Sequence, residues 1–159
     1  MEAEIIQVKK KLIVGMKIEM SLSENKTKRL WKNFTPKINL IQNRIDSDLI
    51  SMATYPSSYF QNFDPSLHFT KWAGVEVVGR TTLPDGLEEM EIPAGLYGCF
   101  LYKGLPSAAG PFYQSIFQDW LPKSGYQLDG RPHFEIMGEK YKNDDPNSEE
   151  LVYIPMALR

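Results

Sequence analysis

The order of the predicted secondary-structure elements constrains the fold of this 159-residue chain more than any single motif does. A strand is predicted for KLIVGMKIEM (11–20), because its apolar residues alternate. A helix is predicted next for SLSENKTKRLWKNF, beginning at a capping box of Ser21 and Glu24, and it restarts at Thr35. Two antiparallel strands follow, DLISMATY (48–55) and LHFTKWAGVEVVGR (67–80). The first half therefore reads strand, helix, strand, strand.

The second half repeats that order after a Pro-Asp-Gly turn signal. Strand residues occur in MEIPAGLYGCFLYKG, and a helix is predicted for PSAAGPFYQSIFQDWLPKSGY, which Pro122 and Gly125 end. Two further strands are predicted for HFEIMGEKY and ELVYIPM. We expect an α+β fold, a single domain over 1–159 with halves of about 1–82 and 83–159. In it, both halves contribute to a mostly antiparallel sheet with the helices on one side. Ligand pockets favour such a seam between halves.

Composition excludes several classes of protein. A formal net charge of −2 is unlike that of a general nucleic-acid binder, so we expect no direct nucleic-acid partner. The only cysteine, Cys99, allows no internal disulfide, and the two histidines, His68 and His133, show no metal-binding spacing, so no metal is expected. No segment has the length or apolarity of a signal peptide or a membrane helix, which predicts no membrane association and a cytoplasmic location.

Aromatic residues close to carboxylates are the main chemical signal, because the sequence contains none of the common catalytic or phosphate-binding motifs. Several predicted strands from both halves carry Trp or Tyr near an acidic residue. A carboxylate among aromatic rings is poorly hydrated, and its charged form is unfavourable unless a cation neutralises it. Such a site selects flat, apolar, positively charged molecules.

Glu135 is the main candidate for such a carboxylate. In the strand HFEIM, Phe134 and Ile136 share one face, and Glu135 lies on the other with Met137. A solvent-facing position is the ordinary alternative for a strand glutamate. By the same alternation, Glu139 competes with Glu135 for a position on that face.

Three segments carry a resemblance to a known family: IPAGLYGCFLYKG, FYQSIFQDWLPKSGYQLDGRPHFEIM and LVYIPM. Together they resemble the GyrI-like small-molecule-binding domain, which is also the effector-binding part of AraC-type and MerR-type multidrug-responsive regulators. The first half fits more loosely, through LW..F and W.GVEV. The resemblance implies a duplicated βαββ (SHS2-like) fold with a central ligand pocket at the junction of the halves.

The resemblance also implies roles for individual residues. Glu135 matches a glutamate at the base of the family's pocket that meets cationic, lipophilic ligands, and Met137 would line the same cavity. Tyr153 matches an aromatic wall on the last strand. Three further ligand-binding residues are assigned by strand alone, without an exact motif: Trp72, Phe100 and Tyr102. No cofactor is implied.

The function implied is a stand-alone binding protein for lipophilic, often cationic, small molecules, since no helix-turn-helix precedes the first predicted strand. One alternative is a hydrolase of reactive electrophilic compounds, in which Glu135 is a general acid or activates water. Another is a gyrase-inhibitor-like interaction protein that uses the acidic turn DDPNSEE, with an unknown protein partner.

Overall fold

Nine strands form an antiparallel sheet in the computed structural model, which describes residues 1–159. The strands are β1 (Glu4–Val8), β2 (Lys11–Met20), β3 (Leu49–Thr54), β4 (Phe69–Val77), β5 (Glu88–Ile92), β6 (Gly95–Lys103), β7 (Tyr126–Leu128), β8 (His133–Met137) and β9 (Glu149–Leu158). The α-helices are α1 (Thr27–Phe34), α2 (Gly110–Ser115) and α3 (Leu121–Lys123). A 3₁₀ turn over Thr35–Leu40 extends α1, and a π-helical turn over Ile116–Trp120 joins α2 to α3.

The two halves exchange edge strands. The sheet order is β1-β6-β9-β8-β3-β4-β2-β5, and β7 pairs with β9 outside that path. β1 belongs to the first half but pairs with β6, whereas β5 belongs to the second half but pairs with β2. The halves also meet at the centre, where β3 pairs with β8. The β3–β8 seam therefore lies in the middle of a continuous sheet.

Both helical regions pack on the same face of the sheet, which we call the helix face. In the first half, Leu30 and Phe34 of α1 pack on apolar residues of β2 and β4. In the second half, Ile116 and Leu121 pack on the alternating residues of β9 that include Val152 and Ile154. Burying each such apolar side chain contributes about 1.5–3 kcal/mol to the free energy of folding. These two cores lie over opposite ends of the sheet, which leaves the β3–β8 seam between them.

The opposite face of the sheet, which we call the closed face, carries a core of its own. Its buried members come from strands of both halves, and the bulkiest are Trp72, Tyr97 and Phe134. Val8 of β1 and Ile92 of β5 complete this core, so the exchanged edge strands help to cover it. Apolar packing thus holds the two halves together from this side.

The predicted α+β architecture is confirmed, and the differences from the sequence prediction are local. Ser21 accepts a hydrogen bond from the Glu24 amide at 3.0 Å, but this closes a turn, and α1 begins only at Thr27. The predicted strand after the midpoint is two strands, β5 and β6, separated at Pro93. β1 and β7 were not predicted. None of the helices is long and apolar enough to cross a membrane.

Candidate functional site

A cavity of about 960 Å³ lies on the helix face, over the β3–β8 seam. Its base consists of residues of the central strands, and its walls come from α2, the π-helical turn, the turn before α1 and the loop between β3 and β4. Of the 28 lining residues 16 are hydrophobic, so the few charged side chains in it stand in largely apolar surroundings. Those charged side chains are Glu135 and Lys71.

Glu135 lies in the base of the cavity because of the strand register. It pairs with Ser51 of β3 on one side and with Val152 of β9 on the other, and all three residues line the cavity. The residue is partly buried and belongs to none of the structure's ion pairs, although the Tyr113 hydroxyl and the Glu150 carboxyl lie close enough to hydrogen-bond with its carboxylate. An anion without a cationic protein partner, held in largely apolar surroundings, is open to pairing with a ligand cation.

The hydroxyl of Tyr113 is buried and lies near this carboxylate, which is the acceptor within its reach. Burial, and then the nearby Glu135 charge, raise the pKa of Tyr113 well above its usual value. The hydroxyl therefore stays protonated and can donate a hydrogen bond to an acceptor in the cavity.

A second carboxyl, Glu150, lies behind Glu135 on the helix face. It belongs to β9 and is only 6% exposed. Burial, and then the nearby Glu135 charge, raise the pKa of Glu150 to about 8. The positive charge of Lys71 partly opposes this rise. At neutral pH Glu150 is therefore mostly protonated, because burial and the neighbouring Glu135 charge both disfavour its ionised form.

Aromatic rings form the wall beside Glu135. His133 stacks on Phe60 with ring centres 5.5 Å apart, and it meets Tyr55 edge-on at 4.8 Å. Phe60 in turn contacts Phe117 at 5.2 Å, which joins the β3–β4 loop to the π-helical turn. Burial, assisted by the charge of Lys71, lowers the pKa of His133 to about 3, so its ring is neutral. The wall is thus uncharged and rich in π-faces, which attract cations.

The sequence-predicted site residues divide by the face on which they lie. Glu135 lines the cavity as expected. Tyr153 borders the cavity, but its ring stacks on Phe134 at 4.5 Å, on the closed face. Trp72 is 5% exposed in the closed-face core, because alternation in β4 turns Lys71 and not Trp72 toward the cavity.

The remaining predicted residues are on the helix face but outside the cavity lining. Phe100 is buried against Trp120, with ring centres 5.1 Å apart. The Tyr102 hydroxyl donates to the Leu105 carbonyl at 2.6 Å, which directs it away from the cavity. Met137 is buried at the end of β8. Glu139 follows that end and is exposed, so alternation no longer places it on the face of Glu135.

Sequence reasoning missed Lys71, Ser51, His133 and Tyr113 as lining residues. For Lys71 a signal exists, since it interrupts an otherwise apolar set of alternating residues in β4, from Phe69 to Val77. His133 is in register with Glu135 at the next position on the same face. Tyr113 has no such signal, because its helix contains many aromatic residues and only packing selects the one that faces the cavity.

Comparison with known proteins places this geometry in a family. The model of the GyrI-like small molecule binding domain matches residues 1–157. The chain belongs to this family. The resemblance seen in the sequence is thereby confirmed over nearly the full length, and the GyrI-like domain described here has its cavity at the junction of the halves.

A longer protein contains a region similar to this GyrI-like domain. The transcriptional regulator BrlR of Pseudomonas aeruginosa is 27% identical over 157 residues, which are 98% of this chain and 56% of that protein. The chain therefore spans about half the length of the curated relative that it matches.

Two solved structures share the fold. SAV2435, solved bound to tetraphenylphosphonium, superposes with a TM-score of 0.71 at 14% identity, over 99% of this chain and 94% of that one. A hydrolase from Listeria innocua superposes with a TM-score of 0.60 at 11% identity, over 98% of this chain and 92% of that one. At these identities the likeness shows the fold alone.

Proposed function

We propose that this GyrI-like domain binds lipophilic organic cations in the cavity over the β3–β8 seam, with Glu135 as the counter-charge. The observation that carries the proposal is a partly buried carboxylate, without a cationic protein partner, in the base of a largely apolar cavity of about 960 Å³. That volume lies within the range of about 300–1,000 Å³ usual for small-molecule sites.

The surroundings of Glu135 favour a delocalised, apolar cation over a small hydrated one. A metal ion needs several oxygen, nitrogen or sulfur ligands, and no group of three such residues in the chain could hold one. A lipophilic cation instead gains from apolar burial and from the ring faces of Phe60, Phe117 and Tyr55, at about 0.5–2 kcal/mol for each cation–ring contact. Tetraphenylphosphonium, the compound bound to SAV2435, has this chemistry.

The test is a calorimetric titration of tetraphenylphosphonium and of neutral triphenylphosphine oxide into the wild type and Glu135→Gln. We expect the substitution to weaken binding of the cation by about 10- to 100-fold, because each tenfold change corresponds to about 1.4 kcal/mol of lost ion pairing. The neutral compound should change by less than about threefold, since it never pairs with the carboxylate. Glu149→Gln is the matched control, because it removes a charge from β9 outside the cavity.

Glu150 requires a second variant. The Glu135 charge helps to raise the pKa of Glu150, so Glu135→Gln makes Glu150 easier to ionise, and Glu150 then replaces part of the lost charge. The double variant Glu135→Gln/Glu150→Gln removes that compensation and should bind the cation more weakly than Glu135→Gln does. Equal losses for the cation and the neutral compound, or the same loss in Glu149→Gln, would contradict the proposal.

A further inference from the structure

Lys71 is a cation inside a cavity that we propose to bind cations. It lies on β4 and is partly buried among the lining residues. Its ammonium takes part in none of the structure's ion pairs or side-chain hydrogen bonds, although Lys11 and Lys17 on the neighbouring strand β2 both have glutamate partners. A lysine that lines a largely apolar cavity without a partner is costly unless something in the cavity pairs with it.

The register places Lys71 across the base of the cavity from Glu135. Lys71 pairs with Ala53, which pairs with His133, whereas Glu135 lies two residues further along β8. Two strand spacings of about 4.8 Å and two residue rises of about 3.3 Å separate their Cα atoms by about 12 Å. The two charges therefore lie at opposite sides of one base, both on the helix face.

The charge of Lys71 affects the pKa values of two other residues near the base of the cavity. Its positive charge helps to lower the pKa of His133 and acts against the rise in the pKa of Glu150. Both residues belong to strands β8 and β9, beyond β3 as seen from Lys71. Since Lys71, His133 and Glu135 line the same cavity, the side chain of Lys71 lies on the same face of the sheet as the other two.

We infer that the cavity is built for a zwitterion: an aromatic, lipophilic cation that also carries a carboxylate or another acidic group, with Glu135 binding the cationic end and Lys71 the anionic end. This inference rests on the proposed function, because it assumes that Glu135 pairs with a ligand cation. In addition to that pairing, Lys71 selects a zwitterion over a simple cation. A simple cation is repelled by Lys71, while a zwitterion with suitable spacing satisfies both unpaired groups.

The rival explanation is that Lys71 only balances the charge of the two carboxyls in the empty cavity. In that case no ligand group contacts it, and its removal makes the cavity more negative for every ligand. The two explanations differ in the expected sign for a zwitterion. Contact predicts that loss of Lys71 weakens its binding, whereas charge balance predicts unchanged or tighter binding.

The experiment uses a rhodamine free acid and its methyl ester, which share the cationic ring system and differ by one carboxylate. Fluorescence anisotropy measures Kd of both dyes for the wild type, Lys71→Met, Lys71→Arg and Glu135→Gln. Lys103→Met is the matched control, because Lys103 is an exposed strand lysine outside the cavity. We expect Lys71→Met to weaken the free acid about tenfold and to leave the ester unchanged or more tightly bound, with Lys71→Arg retaining most of the preference.

The outcomes separate the inference from the function beneath it. If both dyes bind and Glu135→Gln weakens both, but Lys71→Met leaves the free acid unchanged or more tightly bound, the cation site stands and the zwitterion inference is wrong. If Lys103→Met reproduces the effect of Lys71→Met, the effect is one of net charge and the inference is also wrong. If Glu135→Gln changes neither dye, the proposed function itself fails.

Discussion

The closed face and the helix face of the central strands differ sharply although their residues alternate along the same chain. On the closed face, Phe134 is 2% exposed and its ring lies parallel to that of Tyr153, with centres 4.5 Å apart. On the helix face, the next residue, Glu135, borders a cavity and has no ion-pair partner. One face is packed and apolar, and the other lines a cavity that contains charged side chains. Alternation thus lets a five-residue strand contribute to a core with one face and to the cavity with the other.

The comparison predicts that the two faces respond differently to substitution. Phe134→Ala should lower the free energy of unfolding by about 3–5 kcal/mol, because it leaves a cavity in a packed core. This is the largest effect expected for a single substitution in the central strands. Urea denaturation followed by circular dichroism measures it.

Glu135→Gln is the control for that experiment, because it changes the neighbouring residue on the other face. Its effect on the free energy of unfolding should be less than about 1 kcal/mol, since the carboxylate forms no ion pair with the protein and an amide oxygen can still accept a hydrogen bond from Tyr113. A loss for Glu135→Gln as large as that for Phe134→Ala would show that the helix face is also part of the stabilising core and would break the distinction.

A smaller effect is expected from pH, through Glu150. Burial and the nearby Glu135 charge raise its pKa in the folded protein to about 8, above its usual value of 4.5, so between these values the folded protein holds a proton that the unfolded chain has released. Stability should therefore fall as pH rises through this window. A bound cation favours the ionised carboxyl, so binding releases a proton and the affinity for tetraphenylphosphonium should rise over the same window. Calorimetry in two buffers of different ionisation enthalpy counts the protons released.

Glu150→Gln sharpens this prediction, because it removes the titrating group while Glu135, Lys71, Tyr113 and Tyr141 around it stay. The pH dependence of both stability and affinity should flatten in this variant. A slope that persists unchanged would assign the titration to another group and would remove Glu150 from the account of the cavity.

Much of the fold follows from local pattern, and much of the site does not. The limits of β2 match the predicted strand over 11–20, because a run of ten alternating residues determines both its length and its faces. β1 was missed because its five residues, EIIQV, show no alternation, and its pairing with β6 in the other half of the chain leaves no local trace. The exchange of edge strands is for the same reason a property of the folded sheet alone.

The site predictions show how sensitive a strand is to a shift of one residue. Glu135 was assigned from a motif within its strand, and the structure brings it to the cavity. Trp72 was assigned by strand alone, and its neighbour Lys71 occupies the cavity face instead. A one-residue difference reverses the face, so knowing the strand without the exact position gives no information about the side chain's direction. Tyr153 was assigned from the motif on the last strand, and it borders the cavity while its ring stacks on Phe134 of the closed face.

A crystal structure of this GyrI-like domain with tetraphenylphosphonium tests the central claim most directly. The account predicts the phosphonium in the cavity over the β3–β8 seam, within about 6 Å of the Glu135 carboxylate, the range over which opposite charges stabilise each other. The phenyl groups should contact Phe60 and Phe117. A cation bound on the closed face or on the outer surface, with the Glu135 carboxylate left unpaired, would contradict it.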